Sequence, residues 1–190
     1  MFVVDFVKNG LADTNRSGQA SSLMAITPIT PGKEAALRTY LRGLDQHHSP
    51  FAKLPRTHFA RWVICDDFLN YPDQRHEEHL KCSYLIFSAC HDGEIGSYLD
   101  ELVEVLAPEA HQIWGRCINA PTPTRGPELK AYLLHNQINS GFFVAAYGQS
   151  TAPEVLAALD QQQRMTDFVL RAQSLDPAAL QQQFTTEFVA

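Results

Sequence analysis

Two histidines, an arginine and an aspartate are the residues of this chain best suited to chemistry. His58 and Arg61 stand three apart in a run of alternating polar and apolar residues, and His91-Asp92 closes a second apolar run just before a glycine. A histidine with a carboxylate neighbour is a usable general base, and an arginine can hold an anion or polarise an oxygen. If the two runs are antiparallel neighbours, the start of one lies against the end of the other, and His58, His91 and Asp92 meet at one rim. Strict alternation puts Arg61 on a face with Phe59 and Val63, and His58 on the opposite face. The plainer alternative is structural: His58 satisfies a loop and Asp92 caps the helix that follows.

A second group lies between residues 107 and 140. Trp114, His135 and Asn136 there are candidates to line a small-molecule pocket beside an open sheet face, with core packing the plainer role for Trp114. His76-Glu-Glu-His79 resembles a metal cluster, but its histidines are three apart in a polar loop and do not match H-E-x-x-H. No metal site is expected. The four cysteines form no C-x-x-C pair, and three fall in or at the ends of apolar runs, which suits small buried hydrophobes with reduced thiols. No nucleophile elbow, phosphate loop or Cys-His signature occurs.

The elements that must position these residues follow from periodicity. Apolar runs at 22–28, 57–66, 82–90 and 141–148 predict strands, and the 82–90 run is apolar enough to be buried on both faces. Leu37, Tyr40, Leu41 and Leu44 predict a helix capped by Thr30 with Pro31 in its first turn. Ile95, Tyr98, Leu99, Leu102, Val103 and Leu106 predict a second helix, with Asp92 as its cap. The order strand, helix, strand, strand, helix, strand is the ferredoxin-like βαββαβ unit, an α+β fold with an antiparallel sheet and helices on one face. Its usual sheet order places 82–90 beside 22–28 and leaves 57–66 on an edge. Residues 107–140 form a helical insertion before the last strand, and two helices follow from about residue 150. The expected organisation is an N-terminal arm and loop over 1–21, then a single domain over 22–190.

Thr57-His-Phe-Ala-Arg-Trp62, Phe87-Ser-Ala-Cys-His-Asp-Gly93 and Ile113-Trp-Gly-Arg-Cys117 together resemble an uncharacterised group of bacterial proteins with a T-H-F-A-R strand and an Asp-Gly turn. More distantly, the chain is similar to the dimeric α+β barrel superfamily. That resemblance implies a homodimer and, in its dye-decolorising peroxidase branch, haem chemistry. The peroxidases carry a G-x-x-D-G segment, whereas this chain has Ala89 in place of the first glycine and one ferredoxin-like module rather than two.

The bulk composition narrows the classes. The 190 residues are 45% hydrophobic and 19% charged, ordinary for a globular protein with a real core. The formal net charge of −6 comes without a basic run, which argues against nucleic acid and against an anionic membrane surface. The first eight residues, apolar but broken by Asp5, read as neither a secretory signal nor a membrane span, and a cytoplasmic location is expected. The functional expectation is a pocket between the sheet and the 107–140 insertion that takes a small molecule, with an oxidoreductase-like role. A non-catalytic dimeric module and a haem-dependent peroxidase are the alternatives. Substrate, cofactor and enzymatic status stay open.

Overall fold

In the computed structural model the described residues are 15–45 and 48–189, so the strand-like start of the N-terminal arm lies outside them. The chain divides into two compact units, one up to Ala152 and one from Pro153 onward.

The first unit is α+β. Strands β1 (Arg16–Ser17), β2 (Ala20–Pro28), β3 (Thr57–Cys65) and β4 (Tyr84–Asp92) form one antiparallel sheet in the order β1-β2-β4-β3. Alternation sorts the two faces. Leu23 and Ala25 of β2 and Leu85, Phe87 and Ala89 of β4 point into the core. There they meet Leu37 of α1 (Glu34–Arg42), Leu99 and Leu102 of α2 (Ile95–Val105), Ile113 of α3 (Ala107–Ile113), and Leu129 and Leu133 of α4 (Gly126–His135). Four helices thus share one sheet face. Phe51, Trp62, Phe87 and Trp114 interlock there, with Phe51 on Trp62 at 4.5 Å and Trp114 edge-on to Phe87 at 5.5 Å between centroids. Each such pair contributes about 0.5–1.5 kcal/mol beyond its burial.

The expected last strand is absent. Residues 141–148 are irregular, with Phe142, Val144 and Tyr147 largely exposed. The reason is the outer edge of β2, where that strand would pair. Its hydrogen-bonding groups are already engaged: β1 pairs with Ala20 and Ser21, Ser22 donates to the Asn15 carbonyl, Ile138 donates to Met24, and Ile26 donates to Asn136. At the far end Ile118 donates to Pro28.

Two cap assignments also change. Thr30-Pro31-Gly32-Lys33 closes a turn through Lys33 N–H to the Thr30 carbonyl at 3.0 Å, with Gly32 at φ +85°. Proline followed by a left-handed glycine is the type II turn pattern, so α1 starts later, after Lys33. Helix α2 has Glu94 rather than Asp92 at its N-cap, and the Asp92 carboxylate is used elsewhere.

The second unit is a helical hairpin: α5 (Ala152–Ala172), whose first residue belongs to the first unit, and α6 (Pro177–Phe188). Asp176 caps α6 by accepting from Ala178 and Ala179 N–H at 2.9 and 3.0 Å. Phe168, Phe184 and Phe188 form its core, and Arg171 pairs with Glu187 at 2.9 Å. Among the described residues, no helix is long and apolar enough to cross a membrane.

The β1–β2 hairpin turns at Gly18, φ +64°, where an added Cβ would clash with the Gly148 carbonyl oxygen. Gly18→Ala is expected to lower stability by about 1–3 kcal/mol in urea unfolding. Gly96→Ala, in α2 with open space at its Cβ, should be neutral or stabilising by up to about 1 kcal/mol. Equal effects of the two would contradict this account of the turn.

Candidate functional site

The rim expected from the sequence exists. The β3–β4 register slips between Thr57 and Phe59, so that Thr57 lies opposite His91 and Phe59 opposite Cys90, leaving His58 as the extra residue of a bulge. A bulge re-aims a side chain. Thr57 shares a hydrogen bond with the Tyr98 hydroxyl on the helix-covered face (2.9 Å), whereas the His58 Nε2 lies 2.7 Å from an Asp92 carboxylate oxygen. By alternation from buried His91, Asp92 belongs to the opposite, open face. His58 therefore shares the face of Phe59 and Arg61, contrary to the simple alternation. Arg61 leans over the Phe59 ring at 5.7 Å and is otherwise exposed.

Asp92 is the best-connected residue of this rim. Its second carboxylate oxygen accepts from the Ala152 N–H at 2.7 Å, and its own N–H donates to the Arg56 carbonyl at 2.9 Å. The side chain is only 8% exposed, against 23% for His58. A buried carboxylate needs such partners, because a charge out of water is costly unless paired and hydrogen-bonded. The arrangement holds an imidazole by one nitrogen, as in a general-base pair, and it also ties the end of β4 to Ala152 at the end of the first unit. The capping role expected for Asp92 is thus displaced from α2 to Ala152.

His91 is a core residue. It is fully buried, stacked on Tyr98 with centroids 3.9 Å apart, its Nδ1 lies 3.2 Å from the Asp92 carbonyl, and its Nε2 has no partner. Burial above all, with the Arg56 and His58 charges, holds its pKa below the usual 6.5. Burial also pushes the Tyr98 hydroxyl up to about 12. Arg56 completes the region by donating to Glu101 at 2.9 Å and to Ser97 at 3.2 Å. Arg56, Thr57 and Tyr98 were not singled out by sequence, although the helical spacing that placed Tyr98 in the core implied that its hydroxyl needs a partner.

The second group splits. Trp114 is fully buried among Trp62 and Phe87, the core role weighed for it above. His135 and Asn136 line a groove of about 340 Å³ together with Pro28, Ile118, Asn119, Pro121, Glu128 and Tyr132. Glu128, Tyr132 and His135 recur at i, i+4 and i+7, one face of α4. That spacing was visible in the sequence and could have extended the site beyond its two named members. The walls are tied together: Ile118 N–H to Pro28 at 2.8 Å, Tyr132 hydroxyl to the Ile118 carbonyl at 3.0 Å, and Asn136 Nδ2 to the Tyr132 carbonyl at 2.8 Å. The groove opens at the Pro28 end of β2, whereas Asp92 pairs opposite Ala20. The two groups are therefore separated by eight strand residues, roughly 26 Å, and do not form one pocket.

The His76–His79 loop holds no ligand cluster. His79 pairs with Asp67 at 2.7 Å, and Asp67 also accepts from Phe68 and Leu80 N–H, contacts that lower its pKa to about 2 and raise that of His79. Among the described residues no three His, Cys, Asp or Glu side chains could hold a metal. All four cysteines are free. The surroundings of Asp92 do not fit a haem: His58 and Ala152 take both carboxylate oxygens, and His91 is enclosed beneath Tyr98. No protein-family model matches the chain, nor does any curated protein or solved structure.

His91 sets a pH dependence. The folded protein resists a proton that the unfolded chain accepts, so its contribution is present above about pH 6.5 and is lost as pH falls below that value. His91→Phe, which keeps a ring on Tyr98, should flatten the fall in urea midpoint between about pH 7.5 and 5.5. An unchanged slope would show that other groups carry the acid sensitivity.

Proposed function

We propose that this protein binds a small molecule in the groove between the end of β2 and the 107–140 insertion. The observation that carries this reading is the groove itself. Its volume of about 340 Å³ falls within the range of ligand sites, and its lining sets Pro28, Ile118, Pro121 and Tyr132 beside the polar side chains of Asn119, Glu128, His135 and Asn136. Three cross-ties fix its walls without a ligand, so little ordering cost is left for binding. His135 and Asn136 are ligand contacts in this reading, while His58 and Asp92 form a separate pair on a ferredoxin-like sheet that lacks its last strand, with Arg61 exposed on the same face and His91 in the core. A fragment screen by amide NMR should shift Ile118, Asn119, Tyr132 and Asn136, and His135→Ala with Asn136→Ala should weaken any hit at least tenfold. A groove that stays silent at millimolar fragment removes the reading.

A second reading, a dimer through the open sheet face, rests on one observation. Ile26, Ile86 and Val63 lie side by side across three strands of that face, and Phe59 and Val63 are 52% and 40% exposed. A twin copy offering the same row would cover it. Sedimentation velocity at micromolar concentration should show a dimer that Val63→Asp converts to monomer; a wild-type monomer ends this reading.

A further inference from the structure

The unused hydrogen-bonding capacity of the groove says what it can hold. Two of its polar groups are already committed. The Tyr132 hydroxyl donates to Ile118, and burial raises its pKa, so it stays a protonated phenol. The Asn136 Nδ2 donates to Tyr132, which leaves the Asn136 Oδ1, an acceptor, for a ligand. Glu128 has no ion pair or hydrogen bond among the described residues, and its carboxylate can only accept. No lysine or arginine lines the groove. An anion would therefore meet an uncompensated carboxylate, with uncommitted side-chain donors only from Asn119 and His135.

The α4 helix sharpens this. Glu128 sits in its first turn, and His135 and Asn136 sit at its end, where the dipole is negative and attracts cations. The seven helical steps from Glu128 to His135 rise about 10 Å. Tyr132, which also lines the groove, lies between these two ends on the same helix face. The Glu128 carboxylate at one end, partly offset by the positive helix terminus beside it, and the negative helix terminus at the other thus both attract positive charge.

We infer that the groove is a site for a small aliphatic amine, with Glu128 holding its ammonium group and the Asn136 Oδ1 and His135 receiving a second donor. This rests on the groove being a binding site, and the test separates the two. Three compounds of one length are titrated into the protein by amide NMR: 1,4-diaminobutane, 1,4-butanediol and succinate. The diamine should shift Asn119, Tyr132 and Asn136, and the diol and succinate should bind at least tenfold more weakly. Glu128→Gln should cost the diamine at least tenfold, whereas Glu104→Gln, an exposed change on α2 away from the groove, should cost nothing. Because Glu128 is exposed, its variant should keep the wild-type spectrum elsewhere. Succinate or diol binding as well as the diamine, or an unchanged diamine affinity in Glu128→Gln, overturns the amine assignment while leaving a binding groove. Silence of the groove toward these three and toward every fragment overturns both.

Discussion

Both edges of β2 are hydrogen-bonded, and the arrangement of the first unit follows from that. One edge runs along β4 for all nine residues; the other is filled piecewise by β1, Asn15, Asn136, Ile138 and Ile118. Buried backbone groups must be paired, but they do not require a single strand to pair them. Because the ends of the 107–140 insertion supply several of these bonds, the insertion is fastened to the sheet rather than looped out from it. The groove is the gap left between those fastenings.

The Asp92 rim is organised by charge rather than by backbone pairing. One carboxylate engages a bulged histidine and the first N–H of α5, and the peptide around it reaches Arg56. The interior beside it holds neutral groups: a histidine kept unprotonated by burial and a tyrosine kept protonated. The local contrast is sharp. One face of the strand end presents a hydrogen-bonded carboxyl group, and the other hides two rings stacked 2° from parallel.

Alternation made β2, β3 and β4 legible, because each buries one side chain in two against helices whose own spacing was equally regular. It misplaced His58, since a single extra residue in β3 reverses the face of everything before it. It overcalled 141–148 for a different reason. Phe142, Val144 and Tyr147 have strand-like spacing, but pairing depends on a free neighbouring edge, and β2 has none. Of the groove, His135 and Asn136 were legible as polar groups in an insertion, while Glu128, Tyr132 and Asn119 became members only once the fold bent Ile118 back against Pro28. Trp114, the most conspicuous residue there, was drawn to the core by the aromatic rings of Trp62 and Phe87.

With β2 enclosed and β4 central, β3 is the outermost strand of the sheet on its side. An unpaired strand edge is a template on which another chain can extend a sheet without limit. The bulge at His58 breaks the even spacing of that template near one end, and the arginine in mid-strand sets a charge beside it. The irregularity that aims an imidazole at Asp92 therefore also makes β3 a poor seed for aggregation, so that one inserted residue serves the local chemistry and the colloidal safety of the chain together.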